Sequence, residues 1–204
     1  SGETTQKVTL SSPLDSTTAW SLRMPRFSRD GSRLIGAFLN EAAVWDTATG
    51  EVLQKLTEKP EAFDVSLDGQ KIAIREYIQD GWKNVLKIKT GGTDMQLWEA
   101  RSTMEGAHLL FSGDGNTLAE QAGTTIRVWN VNTGEVKQTL VGHTSFRTFA
   151  FAPGSTSAIV NLNDGSLGLL NLGTGNIEQK YQDVQNWIHY SPDCSLVVIG
   201  NELY

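Results

Sequence analysis

The sequence predicts an all-β protein assembled from a repeated unit of four short antiparallel strands. Three observations carry this expectation. First, Val44-Trp45-Asp46-Thr47-Ala48-Thr49-Gly50-Glu51 returns as Val128-Trp129-Asn130-Val131-Asn132-Thr133-Gly134-Glu135. Second, each copy follows a matching segment, Phe27-Ser28-Arg29-Asp30-Gly31 or Phe111-Ser112-Gly113-Asp114-Gly115. Two different signatures in the same order define a repeat, and a repeat unit must stack on its neighbours to cover its apolar faces. Third, the intervening runs are short, apolar or alternating, and bounded by Gly, Asp and Asn, which reads as strand rather than helix.

Two turns act as rulers. The glycine of the Thr-Gly turn falls at Gly50, Gly92, Gly134 and Gly175, with Ser1-Gly2-Glu3 as a degenerate first copy. The Asp-Gly turn falls at Asp30-Gly31, Asp68-Gly69 and Asp114-Gly115, then degenerates to Pro153-Gly154 and Asp193-Cys194. Both rulers have a period of roughly forty residues. An Asp-Gly or Thr-Gly reversal suits such a turn because glycine adopts positive φ without steric cost.

Between these marks the strands follow in order. Lys7-Val8-Thr9-Leu10 is an outer strand. Residues 33–38 precede 42–45, 71–74 precede 84–88, 117–119 precede 125–129, and 157–160 precede 166–170. Ser195-Leu196-Val197-Val198-Ile199-Gly200 begins a last unit, with a third strand missing or very short at residues 201–204. Four short strands per unit of this length is the pattern of a β-propeller blade. The blades are expected at about 20–57, 61–99, 106–140 and 147–181, with partial blades at 1–10 and 186–204. Residues 1–204 thus form a single propeller domain or a part of one. Four full and two partial blades suggest a ring closed by the first strand, or part of a longer ring of about seven or eight blades. An open arc would expose sheet edges and favour self-association or contact with a larger parent chain.

Composition narrows the classes further. Of 204 residues, 39% are hydrophobic and 20% charged, an ordinary globular balance able to fill a core. The net charge of −6, without any basic run, argues against nucleic acid as the main partner. No apolar run is long enough to span a membrane. One cysteine, Cys194, leaves no internal disulfide to form and fits a reducing, cytoplasmic setting.

The chain resembles the WD-repeat β-propeller family over its whole length. The residues that carry the resemblance are Phe27-Ser28-x-Asp30-Gly31 with Val44-Trp45-Asp46, and Phe111-Ser112-x-Asp114-Gly115 with Ile126-Arg127-Val128-Trp129-Asn130. Leu140-Val141-Gly142-His143 supplies a Gly-His element, and Tyr190-Ser191-Pro192-Asp193 a degenerate inner-strand end. The resemblance implies that Trp45 and Trp129 fill wedges between blades. The family's polar tetrad is incomplete everywhere. His143 and Asp164 match in one blade, where Leu170 replaces its Trp. Trp129 lacks its Asp, which is Gly123, and Trp45 stands with Leu39 in that position. His143 and Asp164 are therefore expected to make a structural hydrogen bond, not a catalytic pair. Blade cores are expected to rest on apolar packing.

The resemblance also orients the loops. The Asp-Gly and Thr-Gly hairpins share one face. The links between units and the second-to-third-strand loops share the other, where partners commonly dock. That second face carries Trp20, Tyr77, Trp82, Arg101 and Trp187 in segments 11–20, 77–83, 98–105 and 183–187. Trp, Tyr and Arg are frequent interface anchors. Trp82 leads, because Asp80-Gly81 and Lys83-Asn84 surround it with turn chemistry and its hairpin is longer than its counterparts. Four of these residues also have a structural reading. Trp82 could fold back on a neighbouring blade, Trp20 and Trp187 could pack where inner strands open, and Arg101 could be a solvated loop charge.

Chemistry has little support. His108, His143 and His189 occupy different unit positions and form no spaced metal set. Cys194 sits in a turn slot without a histidine nearby in sequence. Thr90-Gly91-Gly92-Thr93 joins two strands and does not open a helix, which disfavours a phosphate loop. No catalytic residue, metal or cofactor is expected. The expected function is a non-catalytic scaffold for a protein or peptide partner. One alternative is a quinoprotein-like propeller enzyme, since Asp46-x-x-Thr49-Gly50 resembles a tryptophan-docking motif. Gln54 and Gln138 stand where that motif wants Trp. Another is a regulatory or sensor segment of a larger protein whose catalytic domain lies elsewhere.

Overall fold

A computed structural model of the chain describes residues 8–11, 23–28, 30–38, 41–56, 60–66, 68–78, 83–90, 93–101, 107–123, 125–141, 149–151, 157–162, 164–182, 188–190, 197–199 and 202–203. Among them there is no helix, and nineteen strands form antiparallel sheets. The first sheet holds β1 (Arg23–Phe27), β2 (Arg33–Phe38), β3 (Glu41–Asp46) and β4 (Val52–Leu56). The second holds β5 (Pro60–Val65), β6 (Lys71–Ile78), β7 (Lys83–Thr90) and β8 (Thr93–Arg101). The third holds β9 (Ala107–Phe111), β10 (Thr117–Ala122), β11 (Thr125–Asn130) and β12 (Val136–Val141). The fourth holds β13 (Phe149–Phe151), β14 (Ser157–Asn161), β15 (Leu167–Asn171) and β16 (Ile177–Tyr181). The last has β17 (Ile188–Tyr190), β18 (Val197–Ile199) and a two-residue β19 (Glu202–Leu203). In every sheet the strands lie side by side in chain order.

In the first three units the first hairpin is built by one Ser-x-Asp-Gly device. Ser28 Oγ donates to Asp30 Oδ1 at 2.6 Å and accepts from Arg33 N at 3.0 Å. Gly31 N donates to Ser28 O at 2.9 Å, with φ +69°. Ser66, Asp68 and Gly69 repeat the arrangement, as do Ser112, Asp114 and Gly115. The serine hydroxyl and the Ser32 amide hold the exposed Asp30 carboxyl down at about 2.

The third and fourth strands are joined by an Asx turn. Asp46 Oδ1 accepts from Ala48 N at 2.9 Å and Thr49 N at 2.8 Å. Asn130 and Asn171 do the same two and three residues on. Gly92, which the spacing assigns to this turn, lies outside the described residues. In the second sheet Thr90 pairs directly with Thr93, so a two-residue link replaces the Asx loop. Spacing alone counts residues; it does not see that the hydrogen-bonding Asp or Asn is absent there.

The core lies between sheets. Along β6, Ile72 and Ile74 pack with Ile35, Val44 and Leu56 of the first sheet. Ala73, with Leu86 and Ile88 of β7, packs with Leu109, Leu118 and Trp129 of the third. Ala119, Ile126 and Val128 of the third sheet then pack with Ala158, Val160 and Leu170 of the fourth. Each strand thus sends alternate residues to opposite neighbours, as a period of two requires. The Asx turns serve the same stacking. A Cβ on Gly134 would lie 3.1 Å from Met95 Sδ, and one on Gly175 2.7 Å from Leu140 Cδ2. The left-handed glycine is where the outer strand of the preceding sheet presses. Residues 8–11 occupy that place against the first sheet, where a Cβ on Gly50 would collide with Thr9 O. Leu10 packs there on Leu34, Phe38 and Trp45. These residues stand where an outer strand is expected but are not paired into a sheet among the described residues.

Basic residues latch neighbouring turns together. Arg33 Nη1 donates to Gly69 O at 2.7 Å, and at the equivalent position Lys71 Nζ donates to Gly115 O at 3.0 Å.

Candidate functional site: the extended end of the second sheet

The second sheet outgrows its neighbours at one end. β6 and β7 have 8 residues and β8 has 9, against 6 in β2, β3, β10 and β11. The ladders start in step, with Arg33 opposite Asp46, Lys71 opposite Thr90 and Thr117 opposite Asn130. They end differently. The first stops at Phe38 opposite Glu41 and the third at Ala122 opposite Thr125. The second passes the matching pair, Glu76 opposite Val85, and continues through Tyr77–Asn84 and Ile78–Lys83. β8 follows, placing Ala100 opposite Asn84 and Arg101 opposite Lys83. Tyr77 and Arg101 therefore lie on the backbone of this end.

The other residues picked out in the sequence are distributed as follows. Trp82, Trp20, Trp187 and His143 lie outside the described residues. Trp45 is buried, and its Nε1 donates to Ser11 O at 3.0 Å. Trp129 is buried in the cluster between the second and third sheets. Both tryptophans sit at a register shift in their strand pair, beside Val44 and Val128. Asp164 is an exposed turn residue. Its Oδ1 accepts from Ser166 N at 3.0 Å and its Oδ2 lies 3.5 Å from Lys180 Nζ. The Ser166 hydroxyl and amide hold its carboxyl below the usual range.

Directly beneath the extended end lies a charged seam that sequence reasoning missed. Arg75 crosses from β6 to the third sheet, where its Nη1 is 3.7 Å from Glu120 Oε1. Arg127 Nη1 approaches the other carboxylate oxygen at 3.4 Å, and Glu61 Oε2 is 3.6 Å from Arg75 Nε. The side chains of Arg75 and Glu120 are 2% and 0% exposed. Burial pushes the Glu120 carboxyl up, and the charges of Arg75 and Arg127 oppose that. The Trp129 indole N–H lies close to this carboxylate without reaching hydrogen-bond geometry. On the opposite face of the same sheet, Glu76 pairs with Lys87. The rows that carry the extension are thus anchored by ion pairs on both sides.

A second buried carboxylate links the first strands of three sheets. Asp64 of β5 accepts from Phe111 N of β9 at 2.7 Å and lies 3.9 Å from Arg26 Nε of β1. It thereby satisfies a backbone donor on the free edge of β9. Burial raises its carboxyl to about 6, with the Phe111 amide and Arg26 acting against the rise.

At the opposite end, a groove of about 510 Å³ runs between the second and third sheets beside Lys71, Thr93, Met95 and Asn132. Lys71 there is already committed to Gly115 O and Asn132 Oδ1. Among the described residues, no group of three or more His, Cys, Asp or Glu side chains could hold a metal ion. None of their helices is long and apolar enough to cross a membrane, since none of them is helical.

The described residues define an all-β protein of stacked antiparallel sheets. No family model matches the chain, and neither does any curated protein.

Two outcomes follow from the buried charges. Arg75→Met leaves Glu120 without its buried partner and should cost about 3 kcal/mol in urea unfolding; adding Glu120→Leu should restore most of it. Asp64 has a folded pKa above its unfolded value, so its stabilising contribution is full below about pH 4 and lost as pH rises through 6. Asp64→Asn should therefore gain stability relative to the parent between those values, by up to roughly 3 kcal/mol, read from paired thermal melts across pH.

Proposed function

We propose that the chain is a WD-repeat-like β-propeller, or a part of one, acting as a non-catalytic cytoplasmic scaffold that docks a protein or peptide partner. Three features support the propeller reading: sheets meandering in chain order, apolar clusters joining the first four sheets in succession, and first strands that neighbour one another from β1 to β13. The repeated Ser-x-Asp-Gly and Asx turns support the same reading. The docking reading rests on one observation, the two extra rows at the end of the second sheet. In a set of near-identical units, the unit that departs from the pattern is the one with a separate task. The departure falls at the loop end away from the uniform turns, and it carries Tyr77 and Arg101, with Trp82 in the hairpin between β6 and β7.

Selection of a displayed random-peptide library on the folded chain tests this. Recovered peptides should lose roughly tenfold or more in affinity on Tyr77→Ala or Trp82→Ala, with unchanged melting temperature. They should be indifferent to Leu53→Ala, an exposed residue of β4. Binders insensitive to both aromatic replacements would reject this surface.

A further inference from the structure

Among the described residues β4, β8, β12 and β16 are the outer strands of the four-stranded sheets. An outer strand presents a row of backbone N–H and C=O groups with which a further strand can pair. Proteins blunt such an edge with short strands, bulges and lysine. β4, β12 and β16 carry all three devices. They have 5, 6 and 5 residues. Each is bulged after its first row. Trp45 pairs with Val52 and Val44 with Gln54, which skips Leu53, and Lys137 and Glu178 are skipped in the same way. Each also carries an exposed lysine, Lys55, Lys137 or Lys180.

β8 departs on every count. It has 9 residues. Thr93, Asp94, Met95 and Gln96 pair in four unbroken rows with Thr90, Lys89, Ile88 and Lys87 before the register shifts past Leu97. Gln96, opposite Lys87, stands where β4 and β16 have Lys55 and Lys180, opposite Ala43 and Gly168. Asp94, the charged residue of this stretch, pairs with Lys89 at 2.8 Å. Thr93, Asp94 and Gln96 are exposed, while Met95 and Leu97 rest on the core between the second and third sheets. The start of β8 is therefore a regular edge, reachable from solvent and held from behind.

The groove of about 510 Å³ opens beside this edge, against about 280 Å³ for the groove between the first and second sheets. Ile88, Met95 and Val131 give it an apolar lining. The charges at its rim are matched within the chain, Lys71 by Gly115 O and Asn132 Oδ1, and Asp94 by Lys89. Residues opposite each other on adjacent strands share a face of the sheet. A residue of an added strand opposite Met95 would therefore point toward this groove.

We propose that Thr93–Gln96 of β8 takes up an extended segment of a partner protein as a fifth strand, with an apolar side chain opposite Met95 entering the groove. The edge selects an extended backbone, whose donors and acceptors repeat at the strand spacing, and the groove selects the side chain. The matched rim gives a charged side chain no partner. This surface lies at the end away from the two extra rows of the second sheet, so it stands independently of the docking reading above.

The probe is a capped, fluorescein-labelled peptide of nine residues, with Thr and Val alternating about a central Leu and Lys at both ends. Its binding to the intact chain is followed by fluorescence anisotropy. The peptide should bind, and its counterpart N-methylated at alternate residues should bind at least roughly tenfold more weakly. Replacing the central Leu by Glu should weaken binding by a similar factor. Amide hydrogen exchange should slow within Thr93–Gln96 when the peptide is added, and stay unchanged in β4, β12 and β16. Equal binding by the N-methylated peptide, or protection that spares Thr93–Gln96, would overturn the proposal. So would the same protection appearing without peptide as the chain dimerises with concentration, which would assign the edge to a second copy. Indifference to the Leu replacement would overturn the part given to the groove.

Discussion

A four-stranded sheet with apolar residues on both faces cannot bury itself. That constraint governs the rest of this structure. β6 sends Ile72 and Ile74 one way and Ala73 the other, and each group is covered only by the adjacent sheet. Stability therefore resides in the contacts between units. The uniform turns follow from this, since they set how one sheet overlies the next. The left-handed glycine of each Asx turn lies where the preceding outer strand presses, and a side chain there would hold the sheets apart. The Arg33 and Lys71 latches act at the same seam, tying the start of one second strand to the next sheet's turn.

The buried charges do something that apolar packing cannot. Hydrophobic clusters accept any neighbour of suitable shape, whereas the buried Arg75 and Glu120 call for an opposite charge across the seam. The equivalent positions in the first and third sheets are Ala37 and Gln121, and neither would offer Glu120 the buried cation that Arg75 supplies. A buried ion pair adds little net stability, but a broken one is costly. The seam therefore penalises any other order of sheets. Its location also matters, for it lies one row below the point where the second sheet outgrows its neighbours, and fixes the base of that extension.

Local devices were legible in the sequence and long-range ones were not. The Ser-x-Asp-Gly turns could be read because every bond in them spans a few residues. The very short β19 followed from counting what remained after the second strand of the last unit. The Gly92 spacing located the link between β7 and β8 but not its type, since an Asx turn depends on an Asp or Asn where Thr90 stands. The expectation that blade cores rest on apolar packing did not foresee Arg75, Glu120 and Asp64 among the buried residues. Their partners are far away in the chain, and an isolated charge in a strand reads as a solvent-facing position. Alternation offered one hint: Arg75 and Glu120 follow directly on buried apolar runs, where a core residue was due. The greater length of the second unit's hairpin between β6 and β7 was visible as an exception to the repeat. The four unbroken rows at the start of β8 were not, because they depend on the register of β7 against β8.

The central claim is that each sheet is held by its neighbours more than by its own ladder. Leu86 is fully buried on the face of the second sheet that meets the third, so its truncation separates the two views. Native-state hydrogen exchange on Leu86→Ala is the direct measurement. The account predicts loss of protection in β10 and β11 as well as in β6 and β7, with β14 and β15 less affected. Loss confined to β6 and β7, with the third sheet unchanged, would contradict it.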